Sequence, residues 1–445
     1  MSALPTPFVE RIKSRSLFDE KLIAALDDEA PISIRLNTKK TLQAFIDTQS
    51  VAWCDDAFYL KERPSFTLDP LFHAGCYYPQ EAGSMYIHSV LKTLDLPENP
   101  VALDLCAAPG GKSTLLASFL DNKGILISNE VIRTRANILA ENMTKWGYSN
   151  CFVTCNDPKD FINVPNLFDL ILIDAPCSGE GMFRKDIKAR AEWSLENAQH
   201  CSLRQRRILA DVWDSIKEDG YILYSTCTFN PAENEENVSW MLENFDCEVC
   251  ELPFFEGMLK DSSNFGYYFT PGTTATEGFY CVLLQKKEVF KSNKKPKTNK
   301  TNFVSSQLFQ SLIDEKIQHV FFEENDNYFA ATPFSLDIYS IIDKSLFWIK
   351  RGVFVGTKQK KGFNPEIDLA LNFSIRNTSE SIELTKKEAL QYLHGDTFPL
   401  EGTIGFKLLT YKGEPLGYIK HLGNRFNNLF PKEWRIRMNL PTDII

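Results

Sequence analysis

The chain has 445 residues, a formal net charge of -9, 43% apolar residues and 24% charged residues. This composition fits two to four globular domains and excludes a disordered or fibrous chain. No apolar run approaches the roughly 18 residues that span a bilayer, and the opening MSALPTPFVERIKSRSLFDE puts charges where a secretory signal needs its apolar core, so a cytoplasmic protein with no membrane partner is expected.

Residues 1–65 mix helical periodicity with the extended piece SIRLNTKK (33–40), predicting a small N-terminal α/β domain. Within 66–287, VALDL (101–105), GILIS (124–128), CFVTC (151–155), DLILID (169–174) and YILYST (221–226) read as strands. Between the second and third, Ile132, Ala136, Leu139, Met143 and Trp146 recur at helical spacing, and Gly147 stands where the helix stops. Such alternation predicts an α/β fold with a mainly parallel sheet and helices on both faces. Ligands of such sheets gather at the carboxyl ends of the strands. That rule brings together Asp104, the 106–112 loop, Glu130, Asp157, Asp174 and Cys227. Residues 288–302, rich in lysine and asparagine, read as a basic linker. Beyond them, 303–445 carries short strand-like runs such as FWIKRGVFVG (347–356) and TIGFKLLTYKGEPLGYIK (403–420), a β-rich region. There is no internal repeat.

The stretch DLCAAPGGKST (104–114) looks like a phosphate loop, but Cys106 stands where that loop needs a glycine, and Pro109 removes a backbone donor. Nucleotide hydrolysis is set aside on those grounds, although Asp174 ends an apolar run as a magnesium-binding aspartate would. A nucleoside cofactor with little phosphate fits better. A Gly-rich turn allows close backbone approach, and Glu130 is placed to accept from ribose hydroxyls. Cys151 with Cys155 and Cys247 with Cys250 suggest zinc, but four convincing ligands are lacking and no metal is expected. Two cysteines stand just beyond strands, Cys177 in DAPCSGEG and Cys227 in STCTFNPAENEE. After the second, Asn230, Pro231 and Glu233 have the pattern of a helix start. The overall acidity argues against broad nucleic-acid binding, so local basic clusters at 184–190, 204–207, 291–300 and 358–361 carry any such role.

DLCAAPGGKS, DAPCSGEG and STCTFNPAENE closely resemble three motifs of the Sun-type RNA (cytosine-C5)-methyltransferases. SIRLNTKK, GCYYPQEAGSM (75–85), NEVIRTRANILAENMTKWG (129–147) and EGFYCVLLQKK (277–287) resemble other segments of that family, in order. Pro79 and Gly83 depart from its usual aliphatic residue and serine. The C-terminal GVFVGTKQKKGFNPEIDLAL and HLGNRFNNLFPKEWRIR are similar to the PUA-like region appended in the bacterial RsmF type, which methylates 16S ribosomal RNA of the small subunit.

The resemblance implies a Rossmann-like class I methyltransferase core at 66–287, with 1–65 and 303–445 as RNA-binding regions, acting as a monomer. It makes Cys227 the nucleophile, Cys177 the group assisting product release and Asp174 the partner of cytosine N3. S-adenosylmethionine would lie against Cys106, Ala107, Ala108, Pro109, Gly110, Gly111, Lys112, Glu130, Asp157 and Asp174. The chemistry is consistent: carbon 5 of cytosine is a poor nucleophile until a thiolate adds at carbon 6. The target base must leave any stack, and Arg184, Lys185 and the basic linker are expected to meet phosphates. Transfer RNA as substrate, or a ribosome-assembly RNA-binding factor without catalysis, are the alternatives.

Overall fold

The computed structural model describes residues 3–40, 48–288, 301–360 and 362–441. Most of the expected linker, and with it the basic run at 291–300, lies outside the described residues.

A four-stranded antiparallel sheet forms at the N-terminal end, centred on Ile32–Leu36. Tyr77–Pro79 pairs with that strand, so the sheet ends past the expected boundary at residue 65. The helix before it, α1 (Thr6–Ser14), does not pack on this sheet. Its Phe8 and Ile12 join the apolar cluster of the central sheet, because an amphipathic helix buries its stripe where apolar surface is available.

The central sheet has ten strands. Its core strands are β1 (Val101–Asp104), β2 (Ile125–Asn129), β3 (Cys151–Thr154), β4 (Phe168–Asp174), β5 (Ile216–Thr226), β6 (Phe279–Lys286) and β7 (Trp348–Lys350). They lie side by side in the order 6-5-4-1-2-3-7, with the first five parallel and β6 and β7 antiparallel to their neighbours. The apolar runs are nearly continuous because both faces are covered. Leu103, Ile171, Ile173 and Ile222 enter one cluster, while Ala102, Leu170, Leu172 and Leu223 enter the other. The helix α2 (Gly111–Leu120) follows β1, and α3 (Arg133–Trp146) follows β2 and ends at Gly147, whose φ of 87° suits glycine. Between β4 and β5 runs α4 (Leu195–Trp213).

The C-terminal region is not separate from this core. The expected run 347–356 divides at Gly352 (φ 56°): Trp348–Lys350 closes the edge of the central sheet beside β3, while Val353–Lys358 belongs to a five-stranded antiparallel sheet. Phe152 of β3 stacks on Tyr339 and meets Trp348 edge-on. A last sheet of four strands holds the hairpin Gly405–Tyr411 and Glu414–His421, turned at Lys412 and Gly413, both with positive φ. No helix among the described residues is long and apolar enough to cross a membrane.

Candidate active site

At the carboxyl ends of β1, β2, β4 and β5 lies a cavity of about 360 Å³ lined by Cys106, Ala108, Glu130, Asp174, Cys177 and Cys227, among others. A second space of about 200 Å³ adjoins it, with Asp104, Ala107, Pro109, Gly111 and Lys112 on its walls and Cys106, Ala108 and Asp174 shared. Strand register explains the assembly. β4 pairs in parallel with β5 so that Asp174 stands opposite Ser225, whose hydroxyl donates to Asp174 Oδ1 at 2.9 Å. Cys177 and Cys227, three residues beyond Asp174 and two beyond Ser225, come together with their Sγ atoms 3.0 Å apart.

Lys112 Nζ lies 2.6 Å from Asp174 Oδ2. Burial works against the ammonium charge, yet the Asp174 carboxylate, with help from Asp104 and Cys227, holds it above the ordinary lysine value. The hydrogen bond with Cys227, then burial and nearby charge, push the Cys177 thiol well above the usual cysteine range. Asp104 is fully buried, and burial raises its carboxyl to about 7 even though the Ser113 hydroxyl donates to Oδ2 at 2.6 Å. Its other oxygen, Oδ1, has no hydrogen-bond partner among the described residues. An orphaned carboxylate oxygen on the wall of a cavity suits a cationic ligand. Glu130 is also buried. It accepts from the Ile132 N–H at 3.0 Å and pairs with Arg135 at 3.3 Å, while Arg135 also donates to the Ala108 carbonyl at 2.9 Å. Gly110, at φ 117°, begins α2 and faces Leu139 and Asn142, where a Cβ would crowd.

Of the residues expected against the cofactor, Gly110 and Asp157 line neither space. Asp157 instead caps the turn Pro158–Asn163, accepting from the Lys159 N–H, and sits 3.7 Å from Arg207, leaving Pro158 on the wall. Arg184 corrects an expectation more sharply. Its side chain is 6% exposed and donates to both carboxylate oxygens of Glu277 (3.2 and 3.1 Å) and to the Thr276 carbonyl (2.7 Å), so it is engaged inside the protein and not presented to phosphate. Lys185 is partly exposed and 3.8 Å from the same Glu277.

The helix expected at Asn230 is likewise displaced. Asn230 and Pro231 begin a short 3-10 turn, Pro231–Glu233, and the α-helix begins only at Glu235. A helix dipole starting directly behind Cys227 is therefore not what the fold provides. Sequence reasoning also missed residues that brace the site. Arg11 of α1 pairs with buried Glu180 at 2.5 Å, and Glu180 Oε2 accepts from the Phe229 N–H. Arg15 donates to the Phe229 carbonyl at 3.1 Å and pairs with Glu235. The basic cluster expected at 204–207 does reach the site: its Arg204 and Arg207 line the cavity from α4. Gln205, on the buried stripe of α4 with Cys201, Leu209 and Val212, was the one legible signal: a polar residue in an apolar stripe asks for a buried partner.

A parallel sheet with this cavity at its carboxyl edge defines a Rossmann-like methyltransferase fold. A methyltransferase homolog from Pyrococcus horikoshii matches with TM-score 0.54 and 28% identity over 63% of this chain and 95% of its own. The fold is shared as well by NSun6 from the same organism, solved with SFG (TM-score 0.54, 22% identity, 64% of this chain and 99% of that one). Residues 91–285 match the family described as 16S rRNA methyltransferase RsmB/F, 4–82 the N-terminal domain of 16S rRNA methyltransferase RsmF, and 379–436 the methyltransferase RsmF PUA domain. Ribosomal RNA small subunit methyltransferase F of Escherichia coli O1:K1 is 30% identical over 97% of this chain and 95% of its own, as is that of Shigella boydii serotype 18. The chain belongs to this family of S-adenosylmethionine-dependent small-subunit ribosomal RNA methyltransferases.

Proposed function

We propose that the protein methylates carbon 5 of a cytosine in 16S ribosomal RNA through a covalent adduct with Cys227. The observation that carries this reading is the Cys177–Cys227 pair, 3.0 Å apart in the same cavity as Glu130 and the 106–112 loop. S-adenosylmethionine, when bound, supplies an electrophilic methyl group on a sulfonium. The residues that would hold it are Glu130 toward the ribose, the loop from Cys106 to Lys112, and Asp104 with its unpartnered oxygen toward the positive end.

Cys227 adds as thiolate to cytosine carbon 6, making carbon 5 nucleophilic. Asp174, oriented by Ser225 and Lys112, stands at the mouth shared by both spaces and serves N3 of the base. Once carbon 5 carries the methyl group, its hydrogen leaves as a proton to solvent water, the carbon 5–carbon 6 double bond re-forms, and the Cys227 sulfur departs as thiolate. Cys177 assists this release. The RsmF-like PUA domain at 379–436 recruits the RNA.

With S-adenosylmethionine and small-subunit ribosomal RNA, Cys177→Ala should accumulate a protein–RNA adduct that survives denaturing electrophoresis. Cys227→Ala should form none and transfer no methyl group. Methylation by Cys227→Ala overturns the mechanism, and transfer to transfer RNA alone overturns the substrate.

A further inference from the structure

Glu233 has no part in the steps above, yet it is fully buried between the two cysteine loops. Its Oε2 accepts from the Ser178 N–H at 2.8 Å and from Gln205 Nε2 at 3.0 Å. Its Oε1 accepts from the Ser178 hydroxyl at 2.5 Å and the Thr228 hydroxyl at 3.3 Å. Ser178 follows Cys177 and Thr228 follows Cys227. Gln205 Nε2 also donates to the carbonyl of Pro176, just before Cys177, at 3.0 Å. The Gly181 N–H donates to the Cys227 carbonyl at 2.8 Å, and the Tyr224 hydroxyl fixes the Glu233 backbone through its carbonyl at 2.6 Å. One carboxylate therefore ties both loops.

We propose that Glu233 is a positioning residue of the thiol pair: it holds Cys177 against Cys227, and its negative charge adds to the hydrogen bond and burial that disfavour a second thiolate at Cys177, so that the pair contains one nucleophile. The two sulfurs have unlike surroundings. Glu233 acts electrostatically on Cys177, with Glu180, Tyr224 and Cys201 around that carboxylate, whereas Lys112, paired with Asp174, acts on the Cys227 side. In a buried site, a nearby like charge is a strong argument against a second thiolate. Burial raises the Glu233 carboxyl to about 7, so it is ionised at pH 8.

The electrostatic half is independent of the methyltransferase reading, and the positioning half rests on it. Cys177 alkylation by iodoacetamide is followed at pH 8 by peptide mass spectrometry in full-length Cys227→Ala protein, which removes the competing thiol. Adding Glu233→Gln should speed alkylation of Cys177 about three- to tenfold, whereas Glu233→Asp, which keeps the charge, should change it less than twofold. An unchanged rate with glutamine, or an equal increase with aspartate, overturns the charge argument. Gln205→Ala, which leaves the carboxylate in place and cuts the bridge to Pro176, reads positioning even if Glu233→Gln does not fold. Its kcat for RNA methylation should fall several-fold with KM for RNA within twofold, and an unchanged kcat overturns the clamp. If the parent protein methylates no RNA, the alkylation result still stands.

Discussion

Replacing Trp348 by alanine tests whether the C-terminal region is part of the catalytic fold. Trp348 is 6% exposed, lies edge-on to Phe152 (centroids 5.9 Å apart) and to Tyr339 (5.1 Å), and donates its indole N–H to the Asp343 carbonyl at 2.8 Å. Truncation of a buried tryptophan costs about 3–5 kcal/mol, and the two edge contacts account for roughly 0.5–1.5 kcal/mol each of that sum. Because β7 is hydrogen-bonded to β3 of the central sheet, the loss should appear in the main cooperative transition. Urea unfolding followed by far-ultraviolet circular dichroism measures it, with Trp348→Phe as the milder comparison. A cost below about 1 kcal/mol, or an early transition that leaves the remainder of the curve unmoved, would refute the integration argued from β7.

On the proposed placement of the cofactor, Asp104 should make its affinity depend on pH. With its carboxyl at about 7, it is mostly neutral at pH 6 and mostly ionised at pH 8, so S-adenosylmethionine should bind roughly tenfold more tightly at pH 8, and Asp104→Asn should flatten the profile in titration calorimetry. The same shift acts on stability with the opposite slope. The folded state keeps a proton that the unfolded chain loses, so this contribution is present below about pH 4 and is lost as pH rises through 7. Arg184→Ala should leave Glu277 buried without its main partner and cost about 3 kcal/mol in chemical denaturation. Affinity for RNA in filter binding should stay within twofold for protein that remains folded.

The strands were legible because each is a short apolar run ended by polar residues, and a parallel sheet buried on both faces needs such runs. Asp104, Glu130, Asp174 and Cys227 followed from the rule of carboxyl ends, and so did Asp157, which caps a turn outside the cavity lining. Glu233 read as a cap because its spacing from Asn230 permits one. The fold uses its carboxylate instead for donors on Ser178 and Gln205, 55 and 28 residues away in sequence. Arg184 failed for a related reason: a basic cluster reads as surface, and nothing local announces a buried Glu277 some 93 residues later. The edge strand Trp348–Lys350 was hidden by a run that continues through Gly352 into another sheet.

That edge strand has a consequence for synthesis. Until residue 350 has left the ribosome, β3 presents an unpaired row of backbone donors and acceptors, the kind of edge that other chains join. The Phe347 N–H also donates to Asn156 and the Phe347 carbonyl accepts from the Cys155 N–H, which secures the turn after β3, two residues before the cavity-lining Pro158. The nascent chain thus completes this side of the central sheet only after residue 350 has been made.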